Sequence, residues 1–190
     1  MPDTIVLHYT DGRSRQTAVD TLTDPVRRVS SHLVVGRDGG ISQLLSFDVI
    51  GWHAGESAWE GRTALNNCSI GIEIDNAGQL EERDGRWFSW FDQEYPEQEM
   101  VRGVHRNQTE ATCWHRYTEV QLRVVDELCG LLVAAYGITQ ILGHEEIAPG
   151  RKIDPGPAFP LDEMRRRLLP SPVAASAPAT QGATGSGDAG

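Results

Sequence analysis

Two periods of apolar spacing succeed one another along residues 1–170, and each change of period marks an element. Residues 4–8, TIVLH, are a continuous apolar or β-branched run ending on a polar residue, which predicts a buried strand. Residues 14–29 suit a short helix that Pro25 breaks or restarts. Runs 31–36 and 41–45 flank Arg37-Asp38-Gly39-Gly40, and an Asp-Gly pair favours a hairpin turn. In 68–74, CSIGIEI, a strand would place Ile70, Ile72 and Ile74 on one face and Glu73 on the other.

The pattern dissolves between 79 and 115, a polar stretch carrying Trp87, Trp90, Phe91, Tyr95 and Trp114. A long, partly ordered insertion is expected there, with aromatics that either line a sugar- or peptide-binding groove or cap the core. Thr118 and Gln121 then form a capping box. Val120, Val124, Leu128, Leu131 and Leu132 recur at helical spacing to Ala135, and Gly137 stops the helix. A strand over 138–142 leads into His144, and a short basic helix is expected over 161–169. This interspersed order predicts one α/β domain, residues 1–170, around a central mixed sheet with flanking helices. The Ala/Ser/Pro/Gly-rich tail, 171–190, is expected to be disordered.

With 39% hydrophobic and 23% charged residues the 190-residue chain falls in the globular class. A net charge of −10 opposes a nucleic-acid partner. No apolar run is long enough to span a bilayer. The opening MPDTIVLHYT lacks a basic start followed by an apolar stretch and cleavage site, so a cytoplasmic location is the default expectation. Export by a signal-independent route is the alternative. Cys68, Cys113 and Cys129 contain no C-x-x-C pair and are expected as free thiols, although a Cys113–Cys129 bridge is conceivable.

The chemistry-bearing residues concentrate in four segments. His8 ends the first strand, Glu73 lies in the isoleucine strand, and GHEEIAPGRKIDPGP supplies His144, Lys152 and Asp154. Two imidazoles and one carboxylate form the ligand set of a hydrolytic zinc centre with an open position. Glu73 suits a general base, and Lys152 suits stabilisation of a developing oxyanion. Read singly, each has an ordinary structural role available: a satisfied strand-end histidine, a turn aspartate in Asp-Pro-Gly, an edge-strand glutamate, a solvated lysine beside Arg151.

Taken together, IVLHYT, VSSHLVVGRDGGISQL, IGWHAGESAWEGRTALNNCSIGIEIDNAG and ILGHEEIAPGRKIDPGPAFP resemble the zinc-dependent type-2 N-acetylmuramoyl-L-alanine amidases, which include the peptidoglycan recognition proteins. The resemblance runs from about Ile5 to Leu169 and is weakest in the insertion. It implies Zn2+ on His8, His144 and Asp154, with Glu73 and Lys152 catalytic. It also implies hydrolysis of the amide between the lactyl group of N-acetylmuramic acid and L-Ala, in peptidoglycan or 1,6-anhydro-muropeptides. His53 is expected at the groove wall, contacting substrate or supporting the metal shell, and Tyr9, Arg62 and Asn66 are further candidate substrate contacts. Tyr9 and Ala64 stand where the cytoplasmic recycling enzymes carry asparagine and arginine, a pattern nearer the envelope-acting branch. A recognition module without catalysis is the competing expectation. The complete ligand set argues against it.

Overall fold

The computed structural model describes residues 1–169; the tail predicted to be disordered lies outside the described residues. Along the chain come β1 (Thr4–Tyr9), α1 (Arg15–Thr23), β2 (Leu33–Val35), β3 (Ile41–Gln43), β4 (Ala58–Trp59), β5 (Arg62–Thr63) and β6 (Ser69–Ile74). Then follow β7 (Gln79–Arg83), β8 (Arg86–Phe88), β9 (Glu94–Tyr95), β10 (Met100–Val104) and β11 (Ala111–His115). Last are α2 (Glu119–Tyr136), β12 (Gln140–Gly143), α3 (His144–Ile147) and α4 (Leu161–Leu168).

The central sheet has the order β12-β1-β6-β2-β3. β1 pairs in parallel with β12 and β6, β6 pairs in parallel with β2, and β3 closes one edge antiparallel, so the sheet is mixed as expected. Strands buried on both faces read as apolar runs, which is why 4–8 and 68–74 stand out in the sequence. One face carries Ile5, Leu7, Ile70, Ile72 and Ile74 against Val125, Cys129 and Leu132 of α2 and Leu161 and Met164 of α4. Val6 and Leu142 on the other face pack with Ala54, Leu65 and Ile147, and this is the face that carries the polar site.

α1 stops at Thr23 without restarting, because the residue before Pro25 is driven out of the helical region and Asp24 is extended. α2 has the predicted Thr118–Gln121 capping box and ends at Gly137. Its buried face differs from the expectation: Gln121, Val125, Cys129 and Leu132 are buried, whereas Leu131 is 68% exposed and Val120 lies at the surface. A surplus of apolar residues around α2 left its inner face ambiguous. Cys113 and Cys129 are free thiols in separate apolar clusters, so no bridge joins them.

The insertion departs most from expectation. It is a second sheet, order β10-β11-β7-β8-β9, with its own small core of Ala77, Leu80, Phe91, Met100 and Cys113. β7 and β8 are joined by Asp84-Gly85, both at positive φ (52° and 75°), the geometry an Asp-Gly hairpin turn requires. That signal was present in the sequence. The short strands around it, polar on their outer faces, hid it.

Candidate metal centre

β1 and β6 pair so that His8 lies opposite Glu73, which puts both side chains on the same face of the sheet. β12 runs beside β1 in register through Leu7 and Gly143, delivering His144 at the first turn of α3 next to His8. The 144–156 segment then folds back on itself, with the Glu145 amide donating to the Asp154 carbonyl at 2.8 Å. The result is a tight triangle. His8 Nδ1 and His144 Nδ1 are 2.9 Å apart, and Asp154 Oδ2 is 2.9 Å from the first and 3.0 Å from the second. All three residues are buried, and among the described residues they form a group that could hold a metal ion.

Hydrogen-bond partners fix which ring nitrogens carry protons. Ser69 Oγ donates to the Leu65 carbonyl at 2.6 Å, so it must accept from His53 Nε2–H at 3.3 Å. A neutral His53 then has a lone pair on Nδ1, which accepts from His8 Nε2–H at 3.1 Å. That leaves a lone pair on His8 Nδ1. His144 Nε2 donates to the Ala54 carbonyl at 3.0 Å, which turns Nδ1 toward Asp154 as the nitrogen free to bind a cation. Two lone pairs and a carboxylate oxygen therefore face one another across about 3 Å in a buried site. A cation shared by the three atoms would reconcile them. Two imidazoles and one carboxylate, with ligand atoms within 4.8 Å of one another, are a donor set that fits a divalent metal ion.

Electrostatics agree with this arrangement. Burial, with His144 adding to it, lowers His8 to about 4 and keeps the ring neutral. Burial acts to raise the Asp154 carboxyl, but the His144 and His8 rings beside it outweigh that and hold it below the ordinary range. Glu73 is pushed up to about 8, first by burial and then by Asp154, with Lys152 opposing. Glu73, Lys152 and Tyr9 line, with the three metal-facing residues, a cleft of about 370 Å³. Trp52, 65% exposed, stands on its rim.

A family model for N-acetylmuramoyl-L-alanine amidase matches residues 1–157. The chain belongs to the N-acetylmuramoyl-L-alanine amidase family. It is 32% identical over 172 residues to N-acetylmuramoyl-L-alanine amidase AmiD of Escherichia coli K12, covering 86% of this chain and 52% of AmiD. It is 31% identical over 146 residues to the 1,6-anhydro-N-acetylmuramyl-L-alanine amidase AmpD of Citrobacter freundii, covering 76% of this chain and 59% of AmpD. Among solved structures it is similar to E. coli AmiD in complex with anhydro-N-acetylmuramic acid-L-Ala-D-gamma-Glu-L-Lys, with TM-score 0.67 and 30% identity. That match covers 90% of this chain and 58% of the AmiD chain. The chain thus spans a little over half the length of these family members.

The structure gathers His8, His144, Asp154, Glu73, Lys152, Tyr9 and His53 around one cleft. It does not bring Arg62 or Asn66 to the cleft wall, contrary to expectation. Arg62 is paired with both Asp3 carboxylate oxygens at 2.9 and 3.1 Å, since β5 sits beside the chain start rather than over the cleft. Asn66 Oδ1 instead accepts from the His53 and Ala54 amides at 3.1 and 2.7 Å, which holds the two groups that orient His8 and His144. Sequence reasoning missed Ser69 and the Leu65 and Ala54 carbonyls, because backbone acceptors and a strand serine carry no pattern. It also missed Glu145, buried between His105 (2.6 Å) and Arg106 (2.8 Å) while accepting from the Gly156 amide. This pairing ties the insertion sheet to the segment bearing His144 and Asp154. Gly71 is required where it stands, since a methyl there would lie 2.5 Å from the His53 ring.

Proposed function

We propose that this chain is a zinc-dependent N-acetylmuramoyl-L-alanine amidase. It would hydrolyse the amide between the lactyl group of N-acetylmuramic acid and the L-Ala of a stem peptide. The observation that carries the reading is the convergence of two lone-pair nitrogens and one carboxylate oxygen on a single buried point beside an open cleft. That donor set suits zinc. Family membership and the muramyl tripeptide bound to AmiD support the choice of bond and substrate.

His8, His144 and Asp154 would hold the ion, with His53 and the Ala54 carbonyl fixing the two rings from behind. Zinc, when bound, supplies Lewis acidity that brings coordinated water to a pKa near ~7 and polarises a carbonyl. Glu73 then takes the proton of the attacking water and delivers it to the departing L-Ala nitrogen. Its raised value makes it a competent acid for the second half of that task, and a nearby dication would favour the ionised form needed for the first. Lys152 would donate to the negative charge developing on the former carbonyl oxygen. Water adds across the C–N bond, giving a free lactyl carboxylate and a peptide with a free L-Ala amine.

The test is incubation of the zinc-loaded chain with muramyl-L-Ala-D-γ-Glu-L-Lys and mass analysis of the products. An intact tripeptide beginning with L-Ala is expected. Binding of the conjugate with no release of tripeptide would replace the amidase by a recognition module.

A further inference from the structure

The cleft does not end at Glu73. Thr10, Asp11, Leu22 and Glu73 line both it and a second chamber of about 430 Å³, which runs between α1 and the turn joining β8 to β9 of the insertion sheet. The far wall is Trp90 and Phe91, docked onto the segment after β1. Trp90 Nε1–H donates to the Asp11 carbonyl at 2.9 Å, and Arg13 donates to the Phe91 carbonyl at 2.8 Å while lying 4.9 Å from that ring's centre. Phe91 is buried in the insertion core, whereas Trp90 is 62% exposed and lines the chamber.

Two guanidinium groups line the chamber. Arg13 has N–H donors to spare beyond the one it gives Phe91. Among the described residues Arg27 has a single ion pair, a long 3.8 Å contact with Asp24, and both partners are well exposed. Asp11 and Glu73 belong to the same lining, and against them these two guanidinium groups are the chamber's anion-binding groups.

We propose that this chamber seats the peptide half of the substrate, with Arg13 and Arg27 binding the free α-carboxylate of a γ-linked glutamate. The assignment rests on the amidase reading and extends it by naming the half that the insertion recognises. In a muramyl-L-Ala-D-γ-Glu-L-Lys conjugate the lactyl carboxyl is consumed in the scissile amide, and the sugar offers no other acid. Every free carboxylate lies on the peptide. The first belongs to the glutamate, whose γ-linkage leaves the α-carboxylate bare, one residue beyond the scissile nitrogen and within roughly 7 Å of it. Glu73 lines both cleft and chamber and so marks where the two adjoin. The insertion sheet thereby becomes a specificity element, with Trp90 covering the bound peptide.

Calorimetry on the zinc-loaded chain with L-Ala-D-γ-Glu-L-Lys and with its α-amide tests this directly. A hydrogen-bonded charge pair predicts about 10- to 100-fold tighter binding of the acid. Arg27→Gln should shrink that ratio and Arg13→Gln/Arg27→Gln should erase it. Arg13 also anchors Phe91, so Arg27→Gln separates recognition from loosening of the insertion. Equal binding of acid and α-amide, or an equal loss for both in Arg27→Gln, overturns the proposal. Turnover of the two muramyl conjugates distinguishes the outcomes. Hydrolysis with the same kcat/KM for acid and α-amide refutes the chamber assignment and leaves the amidase reading intact. No hydrolysis, with the acid still preferred in calorimetry, does the reverse.

Discussion

His53 touches none of the three metal-facing atoms, yet replacing it should weaken metal binding. It is 8% exposed and accepts from His8 Nε2–H at 3.1 Å while donating to Ser69 at 3.3 Å. In His53→Ala the His8 N–H loses its acceptor in a buried setting, and the ring can swing or change tautomer, which removes the lone pair from the metal-facing side. Losing such an outer partner typically costs 10–100-fold in metal affinity, or about 1.4–2.7 kcal/mol. The assay is competition for zinc against a chromophoric chelator at fixed pH, with folding checked by circular dichroism. The substitutions discriminate. His53→Asn can place an acceptor oxygen near the lost Nδ1 and should recover most of the affinity, whereas His53→Gln should recover less. Gly71→Ala provides a second route, because its methyl would displace the His53 ring from 2.5 Å away and should produce the same defect. Unchanged zinc affinity in His53→Ala, or equal rescue by Asn and Gln, would refute the tautomer argument.

Three other outcomes are expected. His8→Ala and Asp154→Ala should abolish zinc content, while Glu73→Gln keeps the metal and loses about 10²–10⁴-fold in turnover; loss of zinc from Glu73→Gln, measured by elemental analysis, would make Glu73 a ligand. In the metal-free protein Glu73 keeps its proton to about 8 in the folded state against 4.5 for the ordinary group, so the folded state binds more protons and stability falls as pH rises across that interval. The depressed His8, at about 4 against 6.5, has the opposite sign and is exhausted above 6.5. Urea denaturation should therefore show up to about 2 kcal/mol lost between pH 6.5 and 8, a loss absent from Glu73→Gln. Glu145→Gln should cost about 2–3 kcal/mol in the same assay, since it leaves fully buried His105 without its carboxylate while Arg106 retains Glu146 and Asp162.

Much of this molecule could be read from residue order alone, for local reasons. Strands buried on both faces must be apolar throughout, so β1 and β6 announce themselves, and the Thr118 capping box and Gly137 bracket α2 because helix ends need those groups. The residue types suited to a hydrolytic metal site were likewise visible in His8, His144, Asp154, Glu73 and Lys152. Other features depended on what packs against what. α2 carries apolar residues around much of its circumference, so only the sheet decides that Leu132 is covered and Leu131 is not. The insertion's strands are too short to show a period, and pairing across non-adjacent segments makes them a sheet. Arg62 and Asn66 were candidate substrate contacts by residue type, but the fold commits one to Asp3 and the other to two backbone amides. The orientation of the metal-facing rings is set by Ser69, His53 and two carbonyls distant in sequence. A hydrogen bond to a backbone carbonyl leaves no mark on sequence, because every residue has one; only the folded chain selects which carbonyl is in reach.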